Sequence, residues 1–311
     1  MRCDNRRDSI CVLIEICRIL NGVTDMNNAT NHIIVNKLKK VHPANIVINI
    51  LITIFALMML FPFYWMIVTS FLPDTLVTRL PPTMFPQELF LRNYQELFNR
   101  APALTWLLNS VFVSSMTAAL VVAVSSMAGY SFAKKKFFLR DVIFYCMVAT
   151  IMIPRQILVV PLFGVVHNLN IFNNHWGLIL PFLGWPLGVF MLKQFMLSLP
   201  TEILEAARID GCGEVSTFLR IVLPLAKPGI GALAIFTFVS SWNDYMWQLL
   251  ILSSRALFTL PLGVATFQEE FTARFGLQMA GGVMAALPMA VVFIIFQKYF
   301  TKGITMGSVK G

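Results

Sequence analysis

Three stretches of the chain, residues 44–71, 101–133 and 275–297, contain no Asp, Glu, Lys or Arg. The hydrocarbon core of a bilayer is about 30 Å thick, and about 20 consecutive apolar residues cross it as a helix. Each stretch is therefore long enough to span a membrane. Three more are nearly as clean: 142–163 carries only Arg155, 176–192 carries no charge, and 228–254 carries only Asp244. Six membrane-crossing helices are expected, over about 44–71, 104–130, 142–163, 176–197, 229–252 and 279–300. A β-barrel wall would alternate apolar and polar residues, and these runs do not. The expected class is an all-α integral membrane protein. A composition of 57% hydrophobic and 13% charged residues agrees.

The net charge of +9 raises the question of a nucleic-acid partner, and its placement argues against one. Basic residues near span ends mark the cytoplasmic side. They gather before the first span (Lys37, Lys39, Lys40), after the second (Lys134, Lys135, Lys136, Arg140), between the fourth and fifth (Lys193, Arg208, Arg220, Lys227) and after the sixth (Lys298, Lys302, Lys310). Both termini are thus expected in the cytoplasm. Residues 1–43 read as a cytoplasmic segment, 44–300 as the transmembrane domain and 301–311 as a cytoplasmic tail. Within 1–25 lies a weakly amphipathic core over 10–20, and Met26 offers an alternative start; this head is either disordered or not translated. The first span lacks a small-residue cleavage site and runs into the aromatic belt Phe63, Tyr64, Trp65, so it is expected to stay in the membrane. The five cysteines (Cys3, Cys11, Cys17, Cys146, Cys212) fall on the cytoplasmic side or inside a span, where no disulfide framework is expected.

Residues for covalent chemistry are missing. There is no CxxC pair, no HExxH, and no Gly-Lys-Ser or Gly-Lys-Thr of a phosphate-binding loop. His32, His42, His167 and His175 are scattered over a tail and one external loop. No catalytic residue, metal site or cofactor is expected in this chain, and energy from ATP would have to come through a partner. Two charges lie at membrane depth. Arg155, about 21 Å along its helix from Asp141, either snorkels to the outer interface or lines a cavity, in a helix expected to break between Pro154 and Pro161. Asp244, about 24 Å into the fifth span, lies near the interface or the translocation path.

The connection over 200–228 is the one long polar loop. Pro200, Thr201 and Glu202 suit a first helical turn, and Ile203, Ala206 and Ala207 follow at helical spacing. Gly211 and Gly213 are expected to stop this helix. A second helix over 214–222 would put Phe218, Ile221 and Val222 on one face before Pro224 breaks it. Pattern alone leaves two readings at even weight: the apolar face enters a groove of another protein, or the loop packs on its own bundle.

Glu205-Ala206-Ala207, Gly211 and the Ile221, Leu223, Pro224 triplet at their spacing resemble the signature of binding-protein-dependent ABC permeases. The run EAARIDG over 205–211 and LPLAKP over 223–228 look like the carbohydrate-importer branch, and the segments 61–70 (FPFYWMIVTS), 93–98 (NYQELF), 108–110 (LNS), 128–133 (AGYSFA), 241–247 (SWNDYMW) and 303–311 (GITMGSVKG) look like its maltose-type permeases. The resemblance covers most of the chain after Met26. It implies the type I ABC importer permease fold in a bacterial cytoplasmic membrane, with import of a sugar or oligosaccharide. Glu205, Ala206, Ala207, Asp210, Gly211, Ile221, Leu223 and Pro224 would form the coupling loop that docks an ATPase. Implied partners are a second homologous permease, two ATPase subunits that bind ATP and Mg, and an external solute-binding protein. The tail Ser308, Val309, Lys310 and Gly311 would approach the ATPase. Asn109, Ser114, Ser115, Asn243, Asp244 and Gln248 either line the translocation path or satisfy neighbouring helices. Gly281, Gly282, Ala285 and Ala286 offer small faces for packing, within this bundle or against the second permease. An sn-glycerol-3-phosphate or polyol permease, an ion-coupled carrier and a membrane-bound enzyme or scaffold are the competing readings.

Overall fold

The computed structural model describes residues 43–305 apart from 80, 82, 87 and 271–273. The readings for 1–42 and for Ser308 to Gly311 lie outside the described residues. Those that are described form helices joined by turns, with no strand among them. In order they are α1 (Pro43–Ser70), α2 (Asp74–Val77), α3 (Arg92–Arg100), α4 (Ala103–Lys134), α5 (Arg140–Ala149), α6 (Arg155–Asn168), α7 (His175–Ile179), α8 (Pro186–Leu197), α9 (Thr201–Ile209), α10 (Glu214–Leu225), α11 (Lys227–Trp242), α12 (Tyr245–Ile251), α13 (Leu260–Glu270) and α14 (Phe275–Thr305). The described chain divides into two units at Tyr64 and Trp65. The first holds α1 up to Tyr64, an apolar helix stabilised within itself by bonds such as Thr53 Oγ1 to the Asn49 carbonyl at 2.8 Å. The second holds the rest.

Among the described residues three helices are long and apolar enough to cross a bilayer unaided: Val47–Ser70, Ala103–Lys134 and Phe275–Phe296. Three bent pairs bring the number to six if each is one span: Arg140–Met152 with Arg155–Asn168 at 106°, His175–Phe182 with Pro186–Leu197 at 45°, and Glu214–Leu225 with Lys227–Trp242 at 77°. The expected spans 142–163, 176–197 and 229–252 are each interrupted. In the stretch 142–163 the break takes in Ile153 (φ −79°, ψ 118°) and Pro154 (φ −57°, ψ 128°), at the start of the expected interval, and Pro161 sits inside α6. The residue before a proline is pushed out of the helical region, and Ile153 has nowhere else to go. The stretch 229–252 is likewise two helices, interrupted at Asn243 and Asp244.

In the second unit α4 is the central helix, packed chiefly against α8 and α11. Its buried face carries Ser110, Ser114, Thr117, Ser125, Ser126 and Gly129. Small side chains of this kind let helix backbones approach closely where hydrophobic burial cannot drive association. Near its start Trp106 is fully buried, its indole N–H donating to the Arg255 carbonyl at 2.7 Å. That ring lies directly on Gly263, where an added Cβ would fall 2.1 Å from a ring carbon. The small stripe on α14 is spent inside the chain: a Cβ on Gly281 would meet Val264 and one on Gly282 would meet Met66, each at 3.1 Å.

The α1 C-terminus is closed by buried Asn93, whose amide donates to the Ser70 and Leu72 carbonyls at 2.9 Å each. Beside it Arg274 forks onto Glu96 (2.6 and 2.5 Å), and Asp74 accepts from the Gly276 amide at 2.9 Å. This ties α2 and α3 to the start of α14.

Replacing Gly263 with Ala should lower the thermal midpoint of the detergent-solubilised protein, the overpacking costing on the order of 1–3 kcal/mol. A Gly263→Ala protein as stable as the parent would show that Trp106 does not sit on this backbone. The hydrogen bonds from Arg274, together with the Arg274 and Arg100 charges, hold the Glu96 carboxyl below its usual range. The stability it contributes is therefore present above the ordinary carboxylate pKa of about 4.3 and lost as pH falls through the lowered folded value. A Glu96→Gln protein should lose less stability over that acid window than the parent, measured as thermal midpoint against pH.

Candidate functional site

The polar loop is a helix, a tight turn and a second helix. α9 begins after Pro200, whose missing N–H costs nothing at a helix start. It ends in a hydrogen-bonded reversal: the Cys212 amide donates to the Ala207 carbonyl at 2.9 Å and the Gly211 amide to that of Arg208 at 3.0 Å. These two bonds are the Schellman pattern, which places the residue after the C-cap in the left-handed region. Gly211 stands there with φ +76°, and the space its Cβ would enter is open, so backbone strain alone selects glycine. Gly213, expected to share that task, is instead extended (φ −67°, ψ 161°) and caps the next helix.

Pro224 does not end that helix. The run Glu214–Leu225 passes through a π-turn over Phe218–Val222 and includes Pro224, and the chain turns only before Lys227. The proline falls in the first turn after the π segment, where its missing N–H is tolerated.

The expected apolar face exists and points inward. Leu204, Val222 and Ala226 form a buried cluster with Tyr130 and Met196, and the Phe218 ring packs on Tyr130 at 5.3 Å between centroids. Of the α9 residues picked by spacing, Ala207 is buried while Ile203 and Ala206 are exposed. The loop therefore packs on its own bundle through one face and presents another outward. Turned outward, Ile209 is 87% and Val215 70% exposed, and Leu219, Ile203 and Glu205 are exposed as well. Leu223 and Ile221 are half-buried and Asp210 is exposed.

Sequence reasoning missed Glu214, which accepts from Lys135 and from the Tyr130 hydroxyl (3.4 Å) and lies 3.6 Å from Arg208. It fastens the turn to the end of α4. Its signal was an acid in a helix first turn, facing a loop with three consecutive lysines.

The path candidates separate. Gln248 is buried; its amide donates to the Ser241 carbonyl at 3.0 Å and its oxygen accepts from Thr259, so it is an internal brace. Asn109 donates to the carbonyls of Ala256 and Phe258, at 2.9 Å each, and holds the α12–α13 connection. Ser114 is buried on α4, and Ser115 is exposed. Asn243 bonds back to the Val239 carbonyl of its own helix. Asp244 is not alone: Arg155 Nη2 donates to its carboxylate at 3.1 Å, and the Arg155 guanidinium also lies 4.5 Å from the Phe182 ring centre. The pairing joins residues 89 positions apart, which no local pattern could reveal. Among the described residues no cluster of His, Cys, Asp and Glu could hold a metal ion.

Comparison with known proteins gives the family. Residues 125–306 match the model of the binding-protein-dependent transport system inner membrane component. The chain belongs to this family. Among relatives of this inner-membrane permease, the arabinooligosaccharides transport system permease protein of Bacillus subtilis is 36% identical over 272 residues, 85% of this chain and 97% of that one. The sn-glycerol-3-phosphate transport system permease protein of Yersinia pestis is 32% identical over 264 residues, 82% and 94% respectively. A chain from a bacterial ABC transporter that imports the acidic polysaccharide alginate shares the fold, with TM-score 0.71 and 21% identity over 82% of this chain and 96% of that one. As an importer permease the chain is a transport subunit.

The two faces of the loop make opposite predictions. Leu204→Ala should cost roughly 2 kcal/mol or more, as a buried leucine does, whereas Ile209→Asp should leave stability within about 0.5 kcal/mol. Thermal unfolding of the isolated permease checks both, and equal losses would mean the faces are misassigned.

Proposed function

We propose that this permease imports a sugar or oligosaccharide across the bacterial inner membrane, and that the α9–α10 unit is where an ATPase subunit docks. The observation that carries the docking assignment is the double-sided unit. A helix pair anchored to its own bundle by Leu204, Val222 and Glu214 can transmit a push, and the outward Ile209, Val215 and Leu219 give a partner something to push on. Glu205, Ala206, Ala207 and Asp210 flank that contact, Gly211 permits the corner, and Ile221, Leu223 and Pro224 shape the second helix.

In this reading two ATPase subunits bind ATP and Mg, and their closure moves α9–α10 and switches the bundle from inward-facing to outward-facing. A second, homologous permease completes the pathway, and an external solute-binding protein delivers the cargo. Both termini face the cytoplasm, which brings Ser308 to Gly311 near the ATPase. The sugar assignment is supported by relatives named for arabinooligosaccharides at 39% and 36% identity and for sulfoquinovosyl glycerol at 34%. A relative named for sn-glycerol-3-phosphate at 32% supports a second reading, a polyol phosphate.

The test is copurification from cells expressing the whole importer. Ile209→Asp, with stability intact, should reduce the ATPase retained through detergent about tenfold, a loss of about 1.4 kcal/mol of binding. Gly211→Val should lose ATP-driven uptake, because a β-branched residue is strained at positive φ. Full retention and uptake in both variants would remove the docking assignment, and uptake of arabinotriose driven by an ion gradient without ATP would remove the ATP-driven reading.

A further inference from the structure

The breaks of three interrupted helices meet at one level of the bundle. Measured from the end that carries α9 and α10, Arg140–Met152 has 13 residues, α8 has 12 and α11 has 16. At 1.5 Å per residue these place the breaks roughly 20, 18 and 24 Å along. Side chains at the breaks touch in sequence. Arg155, just past the first, pairs with Asp244 at the third and lies on Phe182 beside the second. Phe182 meets Trp185 edge-on at 6.2 Å, and Trp185 stacks on Phe236 of α11 at 5.4 Å with the rings 7° from parallel.

Charged side chains at membrane depth face the bundle interior or a water-filled cavity and mark transport pathways. A purely structural clamp would be sealed, yet the Arg155 side chain is 56% exposed and that of Asp244 17%. The single bond between them uses one of five guanidinium donors and one of two carboxylate oxygens. A guanidinium that donates and a carboxylate that accepts together suit hydroxyls, since each hydroxyl both donates and accepts. Partly exposed Trp185 and Phe236 add apolar ring surface for the C–H face of a sugar ring. The pair is also neutral as a whole: Asp244 cancels the cation that an anionic cargo would seek and sets a like charge beside it.

We propose that Arg155 and Asp244, flanked by Trp185 and Phe236, form a subsite for an uncharged saccharide, and that Asp244 excludes acidic ones. Phe182 acts as a positioning residue under the guanidinium. The proposal rests on the saccharide reading above and narrows it to neutral cargo.

The assembled importer in nanodiscs tests it by equilibrium binding of radiolabelled arabinotriose, which is neutral, and trigalacturonate, which is acidic. The parent complex should prefer arabinotriose. Asp244→Asn frees the Arg155 cation and should shift the ratio toward trigalacturonate about tenfold, the size of one charge-assisted bond. Arg155→Gln leaves a free acid and should shift it the other way, with weaker arabinotriose binding. Size-exclusion chromatography establishes assembly of each variant. If Asp244→Asn does not assemble, Arg155→Gln alone decides, and an unchanged ratio in an assembled variant overturns the assignment. A parent complex that prefers trigalacturonate also overturns it. A parent that binds neither sugar and takes up neither with ATP sinks the saccharide reading itself and this proposal with it.

Discussion

Backbone amides and carbonyls inside a bilayer must find partners within the protein, because no water is there to take them. Uninterrupted helices meet this demand alone, and three of them do so here. The other crossings are broken, and each break needs cover. The connections between helices need it too: the Asn173 backbone amide donates to the Ile251 carbonyl, and its side-chain oxygen accepts from the Ser253 and Ser254 amides. Trp247 donates to the Gly177 carbonyl, Gln248 to that of Ser241, and Ser110 accepts from the Leu260 amide. Several polar residues that look like cargo contacts in a linear reading, Asn109 and Gln248 above all, belong to this cover.

The same demand explains why the breaks gather at one level. An interrupted helix is tolerated at membrane depth only where protein or a cavity surrounds it. Arg155 and Asp244 pair beside two of these breaks, whereas the hydroxyls along α4 lie on a face that packs closely against other helices.

The α9–α10 unit obeys a different constraint. It packs on the bundle and also exposes apolar side chains, so one helix pair is amphipathic twice over. Leu204, Ala207 and Val222 satisfy the inner requirement, Ile209, Val215 and Leu219 the outer one, and the Schellman turn at Gly211 sets the angle between the helices. Apolar spacing in the sequence detects that a helix has a face. It does not tell which of two neighbouring faces looks inward, and so spacing groups Ile203 and Ala206 with Ala207 although only Ala207 is buried.

Much of this protein was legible in its residues. Charge-free runs determine membrane helices because length and apolarity alone set the transfer free energy, and Gly211 announces a left-handed turn because strain there depends only on its own backbone. The position of the break at Ile153 was one residue away from legible, since the rule for a residue before proline is local. The partners of Arg155 and Glu214 were not. Each is decided by chain segments more than 80 residues distant being brought within hydrogen-bond reach by helix packing, and a bond of that range leaves no periodic trace in the sequence.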